Sequence, residues 1–255
     1  MMQEYINGLL EKGERIDGRK FDDYRKIKIE TGVSKNAEGS ARVIMGDTEV
    51  MVGVKMDVGE PYFDSQDAGV LITGAELLPL SSEDFELGPP GTKAVELARV
   101  IDRGIRESGC IDMKKLCIKK KEKVWMIFID IYTINDGGNL IDASALAVLA
   151  ALKDTKFPVY DEKNERVDYG NLDKKSLPLI KLPLACTLYK IGGKTLIDVN
   201  SEEEKVIDAR LTVTMTEKEI HAMQKGGDGV LRVEEIDEMI KLAEEKIKKL
   251  MGLLK

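Results

Sequence analysis

Residues 124–134 read VWMIFIDIYTI, and this run decides the fold class. It is rich in β-branched and aromatic residues and is apolar at both odd and even positions. Because alternate side chains of a strand point to opposite faces of a sheet, the run predicts a central strand covered on both faces. Residues 40–58 predict two further strands around a turn at Gly46-Asp47, and the second of them has a continuous apolar face. The sequence therefore predicts a substantial sheet.

Three predicted helices can cover such a sheet. Residues 92–108 carry apolar side chains at helical spacing on one face. The run from Asp142 to Leu152 is almost wholly Ala, Leu and Val, which predicts a buried helix capped by Asp142. A third amphipathic helix is predicted from about Val233 to Leu254. Because strands and helices alternate in two rounds, we expect an α+β fold with helices packed on mixed, mostly antiparallel sheets.

A polar segment with several prolines, residues 156–181, separates the two rounds. Beyond it, two predicted strands flank Gly192-Gly193, a typical hairpin signal. We therefore predict an N-terminal half of residues 1–160 and a C-terminal half of residues 161–255, which together form one compact unit.

The composition argues against several classes of protein. The only histidine is His221, which disfavours Ser-His-Asp and Cys-His catalysis and histidine-based metal sites. Cys110, Cys117 and Cys186 form no CxxC motif, which favours a reducing compartment over disulfides or zinc. No apolar run approaches the ~18 residues of a membrane span. We expect a cytoplasmic protein without a metal, a cofactor or a membrane association.

The strongest candidate for binding is a row of arginines on the first of the long helices. Arg99, Arg103 and Arg106 fall within a ~60° arc opposite the apolar face, and guanidinium groups match phosphate oxygens well. Since the net charge is −7, any nucleic acid would have to bind such a local basic patch. On spacing alone, a solvated face with ion pairs from Glu96 to Arg99 and from Asp102 to Arg106 is favoured.

A second basic cluster lies in residues 114–123, which contain six lysines. It is compatible with a surface for RNA or for an acidic partner. A solvated hairpin is the favoured interpretation, because exposed turns commonly carry lysine.

Four motifs in a fixed order resemble those of one known family. They are Arg15-Ile-Asp-Gly-Arg19, Gly39-Ser-Ala-Arg-Val43 with Gly46-Asp-Thr48, Glu96-Leu-Ala-Arg99 and Asp136-Gly-Gly138. In this order they resemble phosphorolytic exoribonucleases of the RNase PH family, from about residue 15 to the C-terminal helix. The chain is most similar to the archaeal exosome ring subunit that is paired with a separate catalytic subunit.

The resemblance implies an RNase PH-like fold of two βαβα-type halves and a hexameric ring. In that ring, three copies of this chain would alternate with three catalytic RNase PH-type subunits, and RNA-binding cap subunits would complete the exosome. Single-stranded RNA would thread the ring while phosphate attacks its 3′ end. The resemblance also implies RNA contacts for Arg99 and Arg103, whereas Arg106 joins them on helix geometry alone.

Departures from the catalytic pattern indicate that the chain has lost the reaction. Catalytic members carry an arginine after the paired glycines, and here that position is Leu140. A charge-assisted contact worth roughly 1.5–3 kcal/mol is thereby absent. Of two aspartates expected six residues apart, the first matches Asp198 and the second is replaced by Glu204. We expect no catalytic residue in this chain.

Two alternatives stay open on the sequence. The chain could be a phosphorolytic exoribonuclease active on its own, using Asp198 and an unusual phosphate site. It could also be a purely structural ring component that makes no contact with RNA. A non-catalytic subunit that helps to bind RNA and structures its partner's active site is the favoured interpretation.

Overall fold

The computed structural model describes residues 2–217 and 219–254. Its helices are α1 (Met2–Glu11), α2 (Thr92–Ser108), α3 (Leu140–Asp154), α4 (Ser201–Glu204) and α5 (Val233–Met251). The first strands are β1 (Ile27–Thr31), β2 (Gly39–Met45), β3 (Thr48–Gly59), β4 (Val70–Leu77), β5 (Cys117–Lys119) and β6 (Lys123–Asn135). The later strands are β7 (Lys156–Asp161), β8 (Arg166–Ser176), β9 (Leu184–Ile191), β10 (Lys194–Ile197), β11 (Ala209–Met215) and β12 (Ile220–Gly226).

The first sheet has the order β1-β2-β3-β6-β4, with β5 added at the end of β6. The VWMIFIDIYTI run forms most of β6, so its predicted central position is confirmed. Its odd-numbered side chains from Trp125 to Thr133 are buried, while the even-numbered ones between them are half-buried. β4 runs parallel to β6, and the other pairs of this sheet are antiparallel, as the mixed architecture requires.

The second sheet has the order β10-β9-β11-β12 and is antiparallel. Helix α3 lies between the two sheets, packing on β2 and β3 on one side and on β9 on the other. Every side chain of α3 from Ile141 to Leu152 is buried for that reason. The predicted α+β architecture with mostly antiparallel sheets is thus confirmed.

The predicted cap of α3 is wrong. The helix begins at Leu140, with Asn139 in the N-cap position, and Asp142 lies inside the first turn. The Asp142 carboxylate instead accepts hydrogen bonds from the Tyr24 hydroxyl at 2.9 Å and from Asn139 Nδ2 at 3.2 Å. Burial raises the pKa of Asp142 to about 6. Tertiary hydrogen bonds, which a local pattern does not contain, therefore decide the role of this carboxylate.

Helix α5 packs on β9 and β11, and α1 closes the far end of the second sheet. The α1 side chains Ile6 and Leu10 are buried there against Tyr189 and Ile191 of β9. Within the described ranges, none of the helices is long and apolar enough to cross a membrane.

A hairpin of β7 and β8 occupies most of the polar segment that separates the two halves. Apart from Val167, the side chains of β8 are exposed, so the segment carries no apolar alternation from which a strand could be predicted. Residue 160 lies within β7. The division into residues 1–160 and 161–255 stays a prediction.

Candidate nucleic-acid interface

Helix α2 spans the predicted range and carries its arginines on the face opposite the core. Its buried residues follow the apolar stripe, and Gly109 ends it in the left-handed conformation at φ 62°. Gly104 lies close to Thr214 of β11, because a Cβ at that position would come within 2.9 Å of the threonine methyl group. The glycine therefore lets α2 lie close to the second sheet.

Arg99 and Arg103 line a groove between α2 and strands β11 and β12, here called the α2–β12 groove. Its volume is about 420 Å³. Both arginines are exposed, and neither makes a hydrogen bond or an ion pair with another residue that the structure describes. Two unpaired guanidinium groups at the edge of one groove can bind phosphate oxygens without first breaking internal contacts.

Arg106 is different, because its guanidinium is already paired. It donates to Asp102 through Nε at 2.9 Å and through Nη2 at 2.8 Å, and Nη2 also donates to the Leu71 carbonyl at 2.9 Å. The hydrogen bonds to Asp102 raise the pKa of Arg106. The ion pair considered for Arg106 is therefore present, and the RNA contact of Arg106 stays a prediction.

The other ion pair considered from the sequence, Glu96 with Arg99, does not form. Glu96 binds Arg210 of β11 at 2.5 Å. This pairing joins α2 to the second sheet and leaves Arg99 without an acidic partner among the residues that the structure describes. It could not be predicted from spacing along the helix, because Arg210 lies more than a hundred residues further along the chain.

The lysine cluster at residues 114–123 is largely paired. Four of its lysines form ion pairs with nearby acids: Lys115 with Asp112, Lys119 with Glu122, Lys120 with Asp67 and Lys123 with Glu165. This pattern favours the interpretation as a solvated hairpin.

Leu140 and Glu204 come together in a second depression, here called the α3 cleft, at the N-terminus of α3. Its volume is about 420 Å³. Among the described residues that line it, carboxylates outnumber basic groups by five to three. The acids are Glu83, Asp84, Glu96, Asp136 and Glu204, and the basic residues are Lys93, Lys205 and Arg210. A helix N-terminus favours the binding of anions, but the excess of acidic residues in this cleft disfavours it.

Glu204 itself competes for the position that an anion would take. Burial raises its pKa to about 7, and the negative charge of Asp136 adds to the increase. Arg210 and a hydrogen bond from the backbone N–H of Asn139 oppose that increase. The N-cap N–H of α3 therefore faces a carboxylate of the protein, and Leu140 beside it supplies no positive charge.

Asp198 does not line the α3 cleft and is fully buried behind it. Its carboxylate accepts hydrogen bonds from Arg25 at 2.7 Å, from Arg19 at 3.0 Å and from Asn139 at 3.1 Å. The backbone N–H of Arg25 donates a further one at 2.6 Å. Because both oxygens are occupied, this carboxylate is not free for acid-base work or for a metal ion.

The loops that carry these groups are packed tightly together. Gly138 has φ 90°, and a Cβ there would lie 2.6 Å from the backbone of Asn200, so the position requires glycine.

The sequence did not reveal the hydrogen-bond partners of Asp198. Arg19 belongs to a quoted motif without an assigned role, and no local signal marks Arg25.

Family models and full-length relatives resemble this chain over most of its length. A model of the 3′ exoribonuclease family, domain 1, matches residues 23–158, and the model of domain 2 matches residues 181–246. The exosome complex component Rrp42 of Methanocella arvoryzae is 49% identical over 245 residues, which are 96% of this chain and 92% of the relative. The Rrp42 of Archaeoglobus fulgidus is 49% identical over 240 residues, which are 93% of this chain and 90% of the relative.

Solved structures of related proteins superpose on this chain over nearly its whole length. A chain of an Archaeoglobus fulgidus exosome with RNA bound to the active site superposes with a TM-score of 0.92 at 46% identity, covering 100% of this chain and 98% of that one. Rice Rrp46 shares the fold with a TM-score of 0.72 at 16% identity, covering 94% of this chain and 98% of that one. The family models and the full-length relatives lead to one conclusion: the chain belongs to the RNase PH family of 3′ exoribonucleases.

Proposed function

We propose that the chain is a non-catalytic subunit of an archaeal-type exosome, a ring that degrades RNA from its 3′ end with inorganic phosphate. In this ring three copies alternate with three catalytic RNase PH-type subunits, and RNA-binding cap subunits lie on one face. The chain binds part of the RNA and shapes the active site of its partner. It acts in the cytoplasm and works with no cofactor of its own.

The α3 cleft carries the non-catalytic part of the proposal. Attack by phosphate requires a cationic site that holds the anion beside the RNA 3′ end. Here Leu140 stands where catalytic relatives are expected to have an arginine, and Glu204 directs a carboxylate at the same helix N-terminus. Asp198 is neutralised by Arg19 and Arg25. Phosphate would therefore find no arginine at the position where the reaction needs a cation.

Two guanidinium groups that pair with no residue in the described part of the chain support the RNA-binding part of the proposal. Arg99 and Arg103 are exposed, lie one turn apart and share the edge of the α2–β12 groove. We assign the main RNA contacts to this pair. Arg106 is included as a third, weaker contact, because its ion pair with Asp102 must first open.

Activity measured with and without the catalytic subunit tests the proposal. The purified chain is incubated with single-stranded RNA and inorganic phosphate, and released nucleoside diphosphates are quantified. We expect no release by this chain alone, and release together with a hexamer mass once a catalytic RNase PH-type subunit is added. Robust release by the chain alone would instead favour an enzyme active on its own.

A purely structural role is the remaining alternative, and the unpaired state of Arg99 and Arg103 argues against it. We also propose that residues 1–160 and 161–255 form the two RNase PH-like halves. The buried network around Asp198 supports a single folding unit, because it joins Arg19 and Arg25 of the first half to the second.

A further inference from the structure

The two long helices that pack on the first sheet cover only one of its faces. Helices α2 and α3 lie on the inner face, where the odd-numbered side chains of β6 are buried. The opposite face, here called the outer face, carries the even-numbered side chains of β6 from Met126 to Ile134, which are half-buried. Strands β3 and β4 flank β6 and extend this face on both sides. Its central residues are Met51, Gly53 and Lys55 of β3, Phe128, Asp130 and Tyr132 of β6, and Ile72, Gly74 and Glu76 of β4.

A carboxylate lies at the centre of the outer face, between two glycines. Asp130 is directly opposite Gly53 on β3 and Gly74 on β4, and a Cβ at Gly74 would lie 3.7 Å from Asp130 Oδ1. Phe128 and Tyr132 are on the same face, two residues before and after Asp130. Because neither glycine has a side chain, the carboxylate lies in a depression with an aromatic residue at each end.

The acidic residues at the centre of the outer face have no basic partner. Asp130 and Glu76 form no ion pair with any residue in the described ranges. Burial raises the pKa of Asp130, and the negative charge of Glu76 adds to the increase. The basic residues of β2 and β3 on this face are already paired, Lys55 with Glu38 at 2.6 Å and Arg42 with Glu49 at 2.7 Å. An external cation can therefore take the position beside Asp130.

We propose that the outer face is a contact surface for the neighbouring catalytic subunit of the ring, and that Asp130 binds a cationic side chain of that subunit. This inference rests on the proposed function and adds a contact site to it. An arginine suits the depression, because its guanidinium pairs with a carboxylate through two hydrogen bonds and also stacks on aromatic rings.

The charge of the outer face argues against other occupants. In a symmetric pair of two copies of this chain, the same unpaired carboxylates would approach each other. RNA is a polyanion, so the carboxylates would repel it as well. A basic segment of a protein partner is complementary to Asp130 and Glu76. The apolar side chains beside them, such as Phe128 and the 37% exposed Ile72, can pack against such a segment.

Two measurements on Asp130→Asn test the contact, because they should change in different ways. In the isolated chain the variant removes a half-buried charge without a basic partner, so the Tm should stay the same or rise. In the ring it removes the negative half of an intersubunit ion pair. The Kd for assembly with the catalytic RNase PH-type subunit should therefore rise about 10-fold or more. Asp237→Asn, at an exposed position of α5, is the matched control and should change neither quantity.

Oxidative footprinting gives a second readout that needs no variant. Phe128 and Tyr132 should be oxidised more slowly in the RNA-free ring than in the isolated chain, because the catalytic subunit covers them. Unchanged oxidation of both residues on assembly would overturn the contact, as would equal Kd values for Asp130→Asn and the unmodified chain. A lower Tm of the isolated Asp130→Asn chain would also overturn it, because Asp130 would then have a partner within the chain.

Assembly of the unmodified chain separates this inference from the proposed function. Labelled catalytic subunit is titrated with the unmodified chain and with each variant in RNA-free buffer, and the mass of the product is measured. If the unmodified chain forms no ring, the proposed function fails and the contact fails with it. If the ring forms and Asp130→Asn assembles equally well, the contact alone is refuted.

Discussion

Arg25 and Asp198, 173 residues apart in the chain, form a two-point ion pair in which Nη2 donates to Oδ1 at 2.7 Å and Nε donates to Oδ2 at 3.0 Å. The Asp198 side chain is fully buried and that of Arg25 is 10% exposed. Asp198 matches the first of the paired aspartates expected in catalytic family members. In this chain the Asp198 carboxylate instead forms an ion pair that joins the segment before β1, which carries Arg25, to the loop after β10 of the second sheet.

Replacing Arg25 should therefore destabilise the fold. Among the residues that the structure describes, Arg25→Met leaves Asp198 with Arg19 as its remaining cationic partner, and it should lower the free energy of unfolding by roughly 3–5 kcal/mol. Denaturant unfolding of the purified chain measures this. Lys248→Met, which breaks an exposed ion pair on α5, is the control and should change the free energy by less than about 0.5 kcal/mol. Equal effects of the two variants would contradict a structural role for Asp198.

Glu204 should make stability depend on pH. The pKa of Glu204 is raised to about 7 in the folded chain, above the ordinary value of 4.5 for a glutamate, so between these pH values the folded state binds more protons than the unfolded state. Stability should consequently fall as the pH rises through this window. The loss should be on the order of 1–3 kcal/mol, since one pKa unit corresponds to about 1.4 kcal/mol.

Glu204→Gln should remove this part of the pH dependence, because the amide cannot ionise. Unfolding free energies at pH 5 and pH 8 provide the comparison, and Glu202→Gln, at an exposed position of the same short helix, is the control. If Glu204→Gln and the unmodified chain lose the same stability between the two pH values, Glu204 is not the group responsible.

Substitution by alanine should change the stability of the protein in opposite directions at Gly104 and at Gly8. A Cβ at Gly104 would lie 2.9 Å from the Thr214 methyl group, so Gly104→Ala should push α2 from the second sheet. The cost of overpacking, about 1–3 kcal/mol, should exceed the gain in helix propensity of about 1 kcal/mol, so Gly104→Ala should destabilise the protein. Gly8 of α1 has open space around its Cβ position, so Gly8→Ala should stabilise by up to about 1 kcal/mol. Thermal unfolding of both variants tests this, and a stabilised Gly104→Ala would contradict the close approach.

The three arginines of α2 should contribute unequally to RNA binding by the assembled ring. Replacing both Arg99 and Arg103 with Gln should reduce the salt dependence of binding by a slope of about 0.7 for each lost phosphate contact. Arg106→Gln should have a smaller effect, because Asp102 already neutralises that guanidinium. Titrations at several salt concentrations measure the slopes. An effect of Arg106→Gln as large as that of the double variant would show that the Asp102 pair opens for RNA.

Local patterns predicted the elements that bury a regular apolar face. The bounds of α2 follow from its helical periodicity, and the central position of β6 follows from a run that has apolar residues at both odd and even positions. The hairpin strand β8 escaped prediction because nearly all of its side chains are exposed. A periodic pattern of apolar residues arises only where one face of an element is buried. A solvated hairpin buries almost no side chains, so its sequence lacks such a pattern.

The candidate site was predictable where a helix surface or a family motif defines it. Arg99, Arg103 and Leu140 are of this kind. The pairing of Glu96 with Arg210 and of Asp198 with Arg25 depends on the apposition of distant segments, which spacing does not reveal. The same applies to Asp142, whose partner Tyr24 lies 118 residues away. The sequence therefore predicted candidate groups, and the fold determined which of them are paired with other described residues.

A crystal of the purified chain soaked in inorganic phosphate tests the central claim most directly. If Leu140 and Glu204 leave no site for the anion, no ordered phosphate should be found at the N-terminus of α3, and Asp198 should keep its hydrogen bonds to Arg19 and Arg25. An ordered phosphate beside Leu140 and Asn139, with Glu204 displaced, would contradict the claim and make this chain a candidate enzyme.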